Sequence, residues 1–392
     1  MPEKKSLLFN VLVWFLIACS CSAAAADYQF TAENKYFDEH RTNATALIRE
    51  FYSDGQILLL GAANHRNVQH HLHLIQLLND VGTDPKLKYL ILEQSHDNAD
   101  FYKELSATPI EDVLKTHKFL SEHARMLSLC WSREWSYVYT HVFPVVQRIN
   151  KLRPSNNQLV VLAIDGFSTS SGYGLHSDDP VTSKGCTFDS PELRNNMADV
   201  QNREIATAQN FNDSVWQTLK QGEKVIVLYH QNHLYKHFQS CRIMRTPRGP
   251  ISIIAPRTWY SVFLEAHPEA NSVTRSILFD EKDEVHHPDG VLRFTRRQSE
   301  RYPDQEWAID VRGMEGIDLE KGQNGWIFGP AAYDNEGMNH SDRYFYQISD
   351  GIVYSPRAQV DYHVGKVTDY LPKVCSGSYD GNSLLPASAK NP

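Results

Sequence analysis

The stretch Lys224–Lys236, KVIVLYHQNHLYK, sets a four-residue apolar run, Val225 to Leu228, just before two histidines, His230 and His233. An unbroken run of β-branched and leucine residues, with no period-two alternation, fits a strand buried on both faces. Parallel sheets are built from such strands, and residues at their carboxyl ends sit where open α/β folds bind ligands. Similar runs occur at Gln56–Leu60, Tyr89–Leu92, Leu159–Ile164 and Ile251–Ile254. Between them, Val68–Leu78 has the apolar spacing of a helix packed on one face. Residues 135–150 and 192–221 also read as helices, the second with Pro191 at its first turn, and 27–50 reads as a helical lead-in. This alternation predicts an α/β fold, a mostly parallel central sheet covered by helices on both faces. Ser276–Phe279, Glu306–Val311 and Gly351–Tyr354 are expected to complete the same sheet. ILLLGAANH (57–65) and VIVLYHQNH (225–233) align without a gap, each leading into a helix, which suggests an internal two-fold repeat.

Composition narrows the class of protein. A chain of 392 residues with 41% apolar and 22% charged residues is ordinary for a globular protein. Its net charge of −8 argues against nucleic acid as a partner. Residues 1–26 read as an export signal, with Lys4 and Lys5 ahead of an apolar stretch too short to span a bilayer comfortably. Leu16-Ile17-Ala18-Cys19 fits a lipobox that would leave Cys19 acylated, whereas Ala24-Ala25-Ala26 fits ordinary signal cleavage. The expected location is therefore the periplasm, or a bacterial membrane reached only through a lipid anchor at Cys19. Cys130, Cys186, Cys241 and Cys375 fit structural disulfides whose pairing is open. The domain is expected over 27–365, with a loose tail over 366–392.

Chemistry is sought at the strand ends. His65 follows the first strand, Glu93 closes the second, Asp165 closes the third, and His230 and His233 follow the fourth. Taken singly, a strand-end acid more often caps a helix or pairs in a salt bridge. Their convergence on one sheet edge is what points to function. Imidazole beside carboxylate supports hydrolysis, the carboxylate fixing the tautomer and stabilising the imidazolium. The same set, His65, Glu93, His230 and His233, could instead hold a divalent metal. His70, His71 and His73, on the helix after the first strand, read as solvated surface residues. There is no GxSxG nucleophile motif and no Gly-rich phosphate loop.

The segment 202–236, NREIATAQNFNDSVWQTLKQGEKVIVLYHQNHLYK, resembles the erythromycin-esterase-like proteins. Arg203 and Glu204 match that family's Arg-acid pair, and His230 and His233 its paired histidines. His65 in LLLGAANH falls at the family's general-base position, while Glu93 and Asp165 match its strand-end acids. WAIDVRG (307–313) and SDGIVYSPR (349–357) look like the closing strands, so the resemblance runs patchily over about 50–360. It implies a small-molecule ester hydrolase with His65, Glu93, His230 and His233 catalytic, and Asp165, Arg203 and Glu204 binding substrate. The chain departs from the pattern at Ala62, where the family carries a glutamate. The wider superfamily includes haem-uptake lipoproteins and Tiki-type proteases. The alternative is thus a non-catalytic surface lipoprotein holding a metal, or haem through Tyr229 or Tyr235. The third reading is a structural or partner-binding protein.

Overall fold

The computed structural model describes residues 33–62, 68–96, 99–108, 138–166, 191–236, 242–246, 249–254, 257–281, 293–314 and 349–356. His65, the four cysteines expected to pair, Cys19 and the expected signal segment all lie outside them.

Eight strands form one sheet: β1 (Arg41–Thr42), β2 (Ile57–Ala62), β3 (Leu87–Ser95), β4 (Val160–Asp165), β5 (Lys224–His230), β8 (Thr274–Glu281), β9 (Trp307–Asp310) and β10 (Gly351–Ser355). Their order is β1-β9-β10-β8-β2-β5-β3-β4. Every pair from β10 through β4 is parallel, while β9 runs antiparallel to β10 and β1. The strands expected from 276, 306 and 351 therefore join the main sheet. Ile57–Leu60 and Val225–Leu228 lie side by side in the centre, all buried, as their unbroken apolar character requires. The two segments that align in sequence also pair in register, Ile57 opposite Val225 and Ala62 opposite His230. That pairing concerns these two segments alone.

Alternating side chains feed two layers. Leu58, Leu60, Ile226 and Leu228 point into one core with helices α2 (Ala44–Asp54), α3 (Gln69–Val81) and α5 (Phe143–Leu152). A short helix, α4 (Ala99–Leu105), packs Phe101, Tyr102 and Leu105 into the same layer. Ile57, Leu59, Val225, Val227 and Tyr229 point to the other face, against α6 (Pro191–Phe211) and α7 (Trp259–Ala266). Beyond them, Phe37 of α1 (33–40) and Phe294 of α8 (Arg293–Arg301) pack edge-on against Trp307.

The direction of the connections places the site. From β2 the chain passes over the first face through α3 towards β3. From β5 it leaves over the opposite face through α7 towards β8. Two adjacent strands whose exits diverge to opposite faces open a crevice at their carboxyl ends. Here those ends are Ala62 and His230.

Three expectations need correction. Ile251–Ile254 lies in β7 (Gly249–Ile254), which pairs antiparallel with β6 (Arg242–Thr246) in a separate hairpin. Its nearest neighbour in sequence, two residues away, takes the hydrogen bonds that a parallel partner would need a crossover to reach. The lead-in over 27–50 is broken by β1, because Asn43 caps a new helix, its side chain accepting from Ala46 N at 2.8 Å. His70, His71 and His73 are buried, none more than 6% exposed. His73 stacks on Phe279 of β8, 5.6 Å between ring centres, and its Nε2 lies 3.3 Å from Glu306.

Glu306 Oε2 also accepts from Gln69 at 3.1 Å and Ser355 at 2.9 Å. Burial pushes its carboxyl up, but the bonds and charge from His73, with Ser355 and Gln69, outweigh it and hold the carboxyl below the usual 4.5. A depressed carboxylate stabilises the fold above its unfolded pKa and loses that contribution as pH falls through its folded value. Glu306→Gln is therefore expected to flatten the loss of stability below about pH 4.5, read from urea midpoints across the acid range.

Candidate active site

Glu93, Asp165, His230 and His233 are delivered by β3, β4, β5 and the single turn Gln231–His233 that follows β5. Arg203 and Glu204 come from the middle of α6, which crosses the carboxyl edge on the α7 face. These six residues form one connected network.

Arg203 forks onto Asp165, with Nε donating to Oδ1 at 2.7 Å and Nη2 donating to Oδ2. The same Nη2 donates to Glu93 Oε1 at 3.3 Å. Glu93 accepts the backbone N–H of His230 on its other oxygen at 2.6 Å. Glu204 accepts from His233 Nδ1 at 2.5 Å, leaving His233 Nε2 directed at Glu93 Oε1, 3.6 Å away. The second oxygen of Glu204 takes the backbone N–H of Trp259, the first residue of α7, at 2.6 Å. The positive end of the α7 dipole thus faces Glu204.

The network is sheltered but reachable. Glu204 is 2% exposed at its side chain and Asp165 5%, whereas His233 is 18% and Arg203 20% exposed. Burial works against an imidazolium at His233. The Glu204 carboxylate with its hydrogen bond, and then Glu93, outweigh burial and the repulsion of Arg203 and raise the His233 pKa above 6.5. Arg203 is held protonated well beyond its usual range, burial being overcome chiefly by Asp165 and Glu93. Of its five N–H groups, three are committed to these acids. The two on Nη1 have no partner among the described residues. His230 accepts the N–H of Asn232 on Nδ1 at 3.3 Å, which puts the proton of a neutral imidazole on Nε2.

Gly166, directly after Asp165, fixes how closely α6 approaches β4. Its N–H donates to Thr207 Oγ1 at 2.8 Å, and a Cβ there would come within 2.6 Å of Arg203 O and of Ala206 Cβ. Gly166→Ala is therefore expected to push α6 off the strand, costing about 1–3 kcal/mol in chemical denaturation through overpacking.

Among the described residues, the donor set does not suit a divalent metal. A guanidinium already sits between Asp165 and Glu93, and both Glu93 oxygens and one Glu204 oxygen are engaged by N–H donors. Among the described residues, no group of three or more His, Cys, Asp or Glu side chains is arranged to hold a metal ion. The tyrosines considered as haem ligands do not reach the surface. Tyr229 is 2% and Tyr235 1% exposed, and burial among Asp165 and Glu93 keeps the Tyr229 phenol protonated. Ala62 is buried beside His230 and brings no carboxylate to the end of β2.

Three residues of the surroundings carry no sequence signal. Lys236 and Asp350 form a buried pair at 2.7 and 2.8 Å that ties the segment after His233 to the strand pair β8 and β10. Thr258 caps α7. All three sit in ordinary-looking polar context, and only contact reveals them.

Fold and site together define an α/β protein with an acid–histidine–arginine cluster at the carboxyl edge of its parallel strands. No family model matches the chain, and no curated protein matches it. Among the solved structures similar to the chain at low identity are three that cover more than four-fifths of it. A histidine-to-asparagine variant of the erythromycin esterase EreC in its open conformation is 13% identical, covers 84% of this chain and 96% of its own, and has a TM-score of 0.47. A protein from Bacillus cereus is 12% identical, with coverage of 83% and 97% and a TM-score of 0.44. A succinoglycan biosynthesis protein is 10% identical, with coverage of 83% and 96% and a TM-score of 0.41.

Proposed function

We propose that the protein is an exported hydrolase that cleaves an ester or related bond in a small molecule by histidine-assisted attack of water. The observation that carries this reading is the hydrogen-bonded chain Glu204–His233, facing Glu93 and Arg203, at the crevice where β2 and β5 diverge. A carboxylate held at a helix N-terminus and bonded to Nδ1 fixes the imidazole with Nε2 directed into the site. The raised pKa of His233 favours its charged form, which can supply a proton.

The roles then divide as follows. His65, the residue that the family resemblance makes general base, takes the proton of the attacking water as the new C–O bond forms. The tetrahedral oxyanion is met by the Nη1 donors of Arg203 and the charge of His233. As the bond to the leaving group breaks, the departing alkoxide takes the His233 Nε2 proton. Exchange with solvent resets both histidines. Glu93 holds Arg203 and the His230 backbone in place. The export signal in residues 1–26 supports a location outside the cytoplasm.

A panel of activated esters and lactones, including macrolides, tests the reading directly. The wild type is expected to hydrolyse at least one of them, and His65→Ala and His233→Asn are each expected to lower kcat by on the order of 10²–10⁴. Equal inactivity of all three proteins across the panel would overturn it.

A further inference from the structure

Hydrogen bonds and two short pieces of chain close a ring around His233. Its Nδ1 meets Glu204 at 2.5 Å, and Glu204 meets the backbone N–H of Trp259 at 2.6 Å. Thr258 immediately precedes Trp259. Its hydroxyl donates to the carbonyl of Tyr235 at 2.7 Å, and Tyr235 follows His233 by two residues. The ring thus runs from His233 along the chain to Tyr235, across to Thr258, along to Trp259, across to Glu204 and back. The same Thr258 oxygen accepts from Ser261 N at 3.0 Å, so one hydroxyl both caps α7 and clamps it to the segment carrying the histidine. Thr258 is 1% exposed, which leaves water no access to replace either bond. Gln201 of α6 braces the adjacent backbone, accepting from Arg257 N at 3.0 Å and donating to Arg257 O at 3.3 Å.

We infer that Thr258 is a positioning residue: its hydroxyl fixes the first turn of α7 against the His233 segment and thereby sets the Glu204–His233 hydrogen bond. Its kinetic consequence rests on the hydrolase reading, whereas its structural consequence does not. A threonine makes this clamp where valine cannot. Valine has the same β-branched shape but no hydroxyl, so it loses the cap and the bond to Tyr235 together. Serine keeps both.

The test compares Thr258→Val, Thr258→Ser and Thr258→Gly in the full chain, each checked for a cooperative thermal transition. Glycine serves because it remains an acceptable helix cap, so this variant folds even where valine does not. The first readout is the downfield proton resonance of His233 Nδ1, assigned by its loss in His233→Asn. The resonance is expected to persist in the serine variant, and to broaden or disappear in the valine and glycine variants. The second readout is hydrolysis of the best ester of the panel. Here kcat is expected to fall about 10- to 100-fold in the valine and glycine variants with KM little changed, because the reacting group is misplaced while substrate binding is not. Serine is expected to restore kcat. A folded valine or glycine variant with the resonance and kcat of wild type would overturn the inference, as would a serine variant that fails to restore them. If the wild type hydrolyses nothing, the hydrolase reading falls and the resonance alone decides the role of Thr258.

Discussion

Arg203→Leu is expected to destabilise the protein by about 3–5 kcal/mol, seen as a lower urea midpoint at unchanged slope. The expectation follows from what the guanidinium neutralises. Asp165 is 5% exposed at its side chain and Glu93 9%, and both face Arg203. Removing the arginine leaves two carboxylates beside each other in a site that water barely enters. The cost comes from that uncompensated charge rather than from the lost bonds, because a well-packed apolar replacement of a whole buried ion pair is often nearly neutral. Arg203→Leu combined with Asp165→Leu is therefore expected to be more stable than Arg203→Leu alone. Additive destabilisation by the two changes would show that the pair does not act as a unit.

A kinetic effect as large as that of the histidine variants is expected at Glu204. Glu204→Gln keeps the size of the side chain and an oxygen for the Trp259 N–H, but removes the charge opposite His233 Nδ1. We expect kcat to fall on the order of 10²–10⁴ with little change in fold. The pH dependence should move in a defined direction. Burial lowers the His233 pKa, and Glu204 is foremost among the groups that raise it above 6.5. Activity that needs the imidazolium is lost as pH rises through that pKa. Without the Glu204 charge the pKa drops, so the alkaline limb of the rate profile moves to lower pH. A limb that stays in place would assign the ionisation to another group.

Much of the architecture could be read from unbroken apolar runs. β2 and β5 are buried on both faces because nothing polar interrupts them; Asp165 ends β4 as read from the sequence, whereas β3 runs two residues past Glu93, to Ser95. Once those strands are parallel, the acids of β3 and β4, His230 at the end of β5 and His233 just after it must share an edge. Arg203 and Glu204 were placed by their family-like position on a helix, and the structure brings them to the same acids and to His233.

What escaped sequence reading depends on tertiary contact. The histidines of α3 are polar by type, and only the stacking of His73 on Phe279 and its pairing with Glu306 account for its burial. Ile251–Ile254 has the composition of a core strand, yet a partner two residues away captures it in a hairpin. Thr258 and Lys236 look like any surface polar residue until the chain folds back on itself. Ala62 is already visible in the sequence as a site without a carboxylate. The acid bonded to His233 comes from α6, where Glu204 reaches it.

The central claim is that the Glu204-held imidazole of His233 carries out acid–base chemistry at the crevice between β2 and β5. The most direct measurement is kcat/KM of His233→Asn against wild type on the ester that wild type cleaves fastest, with both proteins matched in thermal transition. A loss of on the order of 10²–10⁴ is the predicted result. A variant that retains wild-type kcat/KM would contradict the claim, because the site would then turn over without the group that the network is arranged to hold.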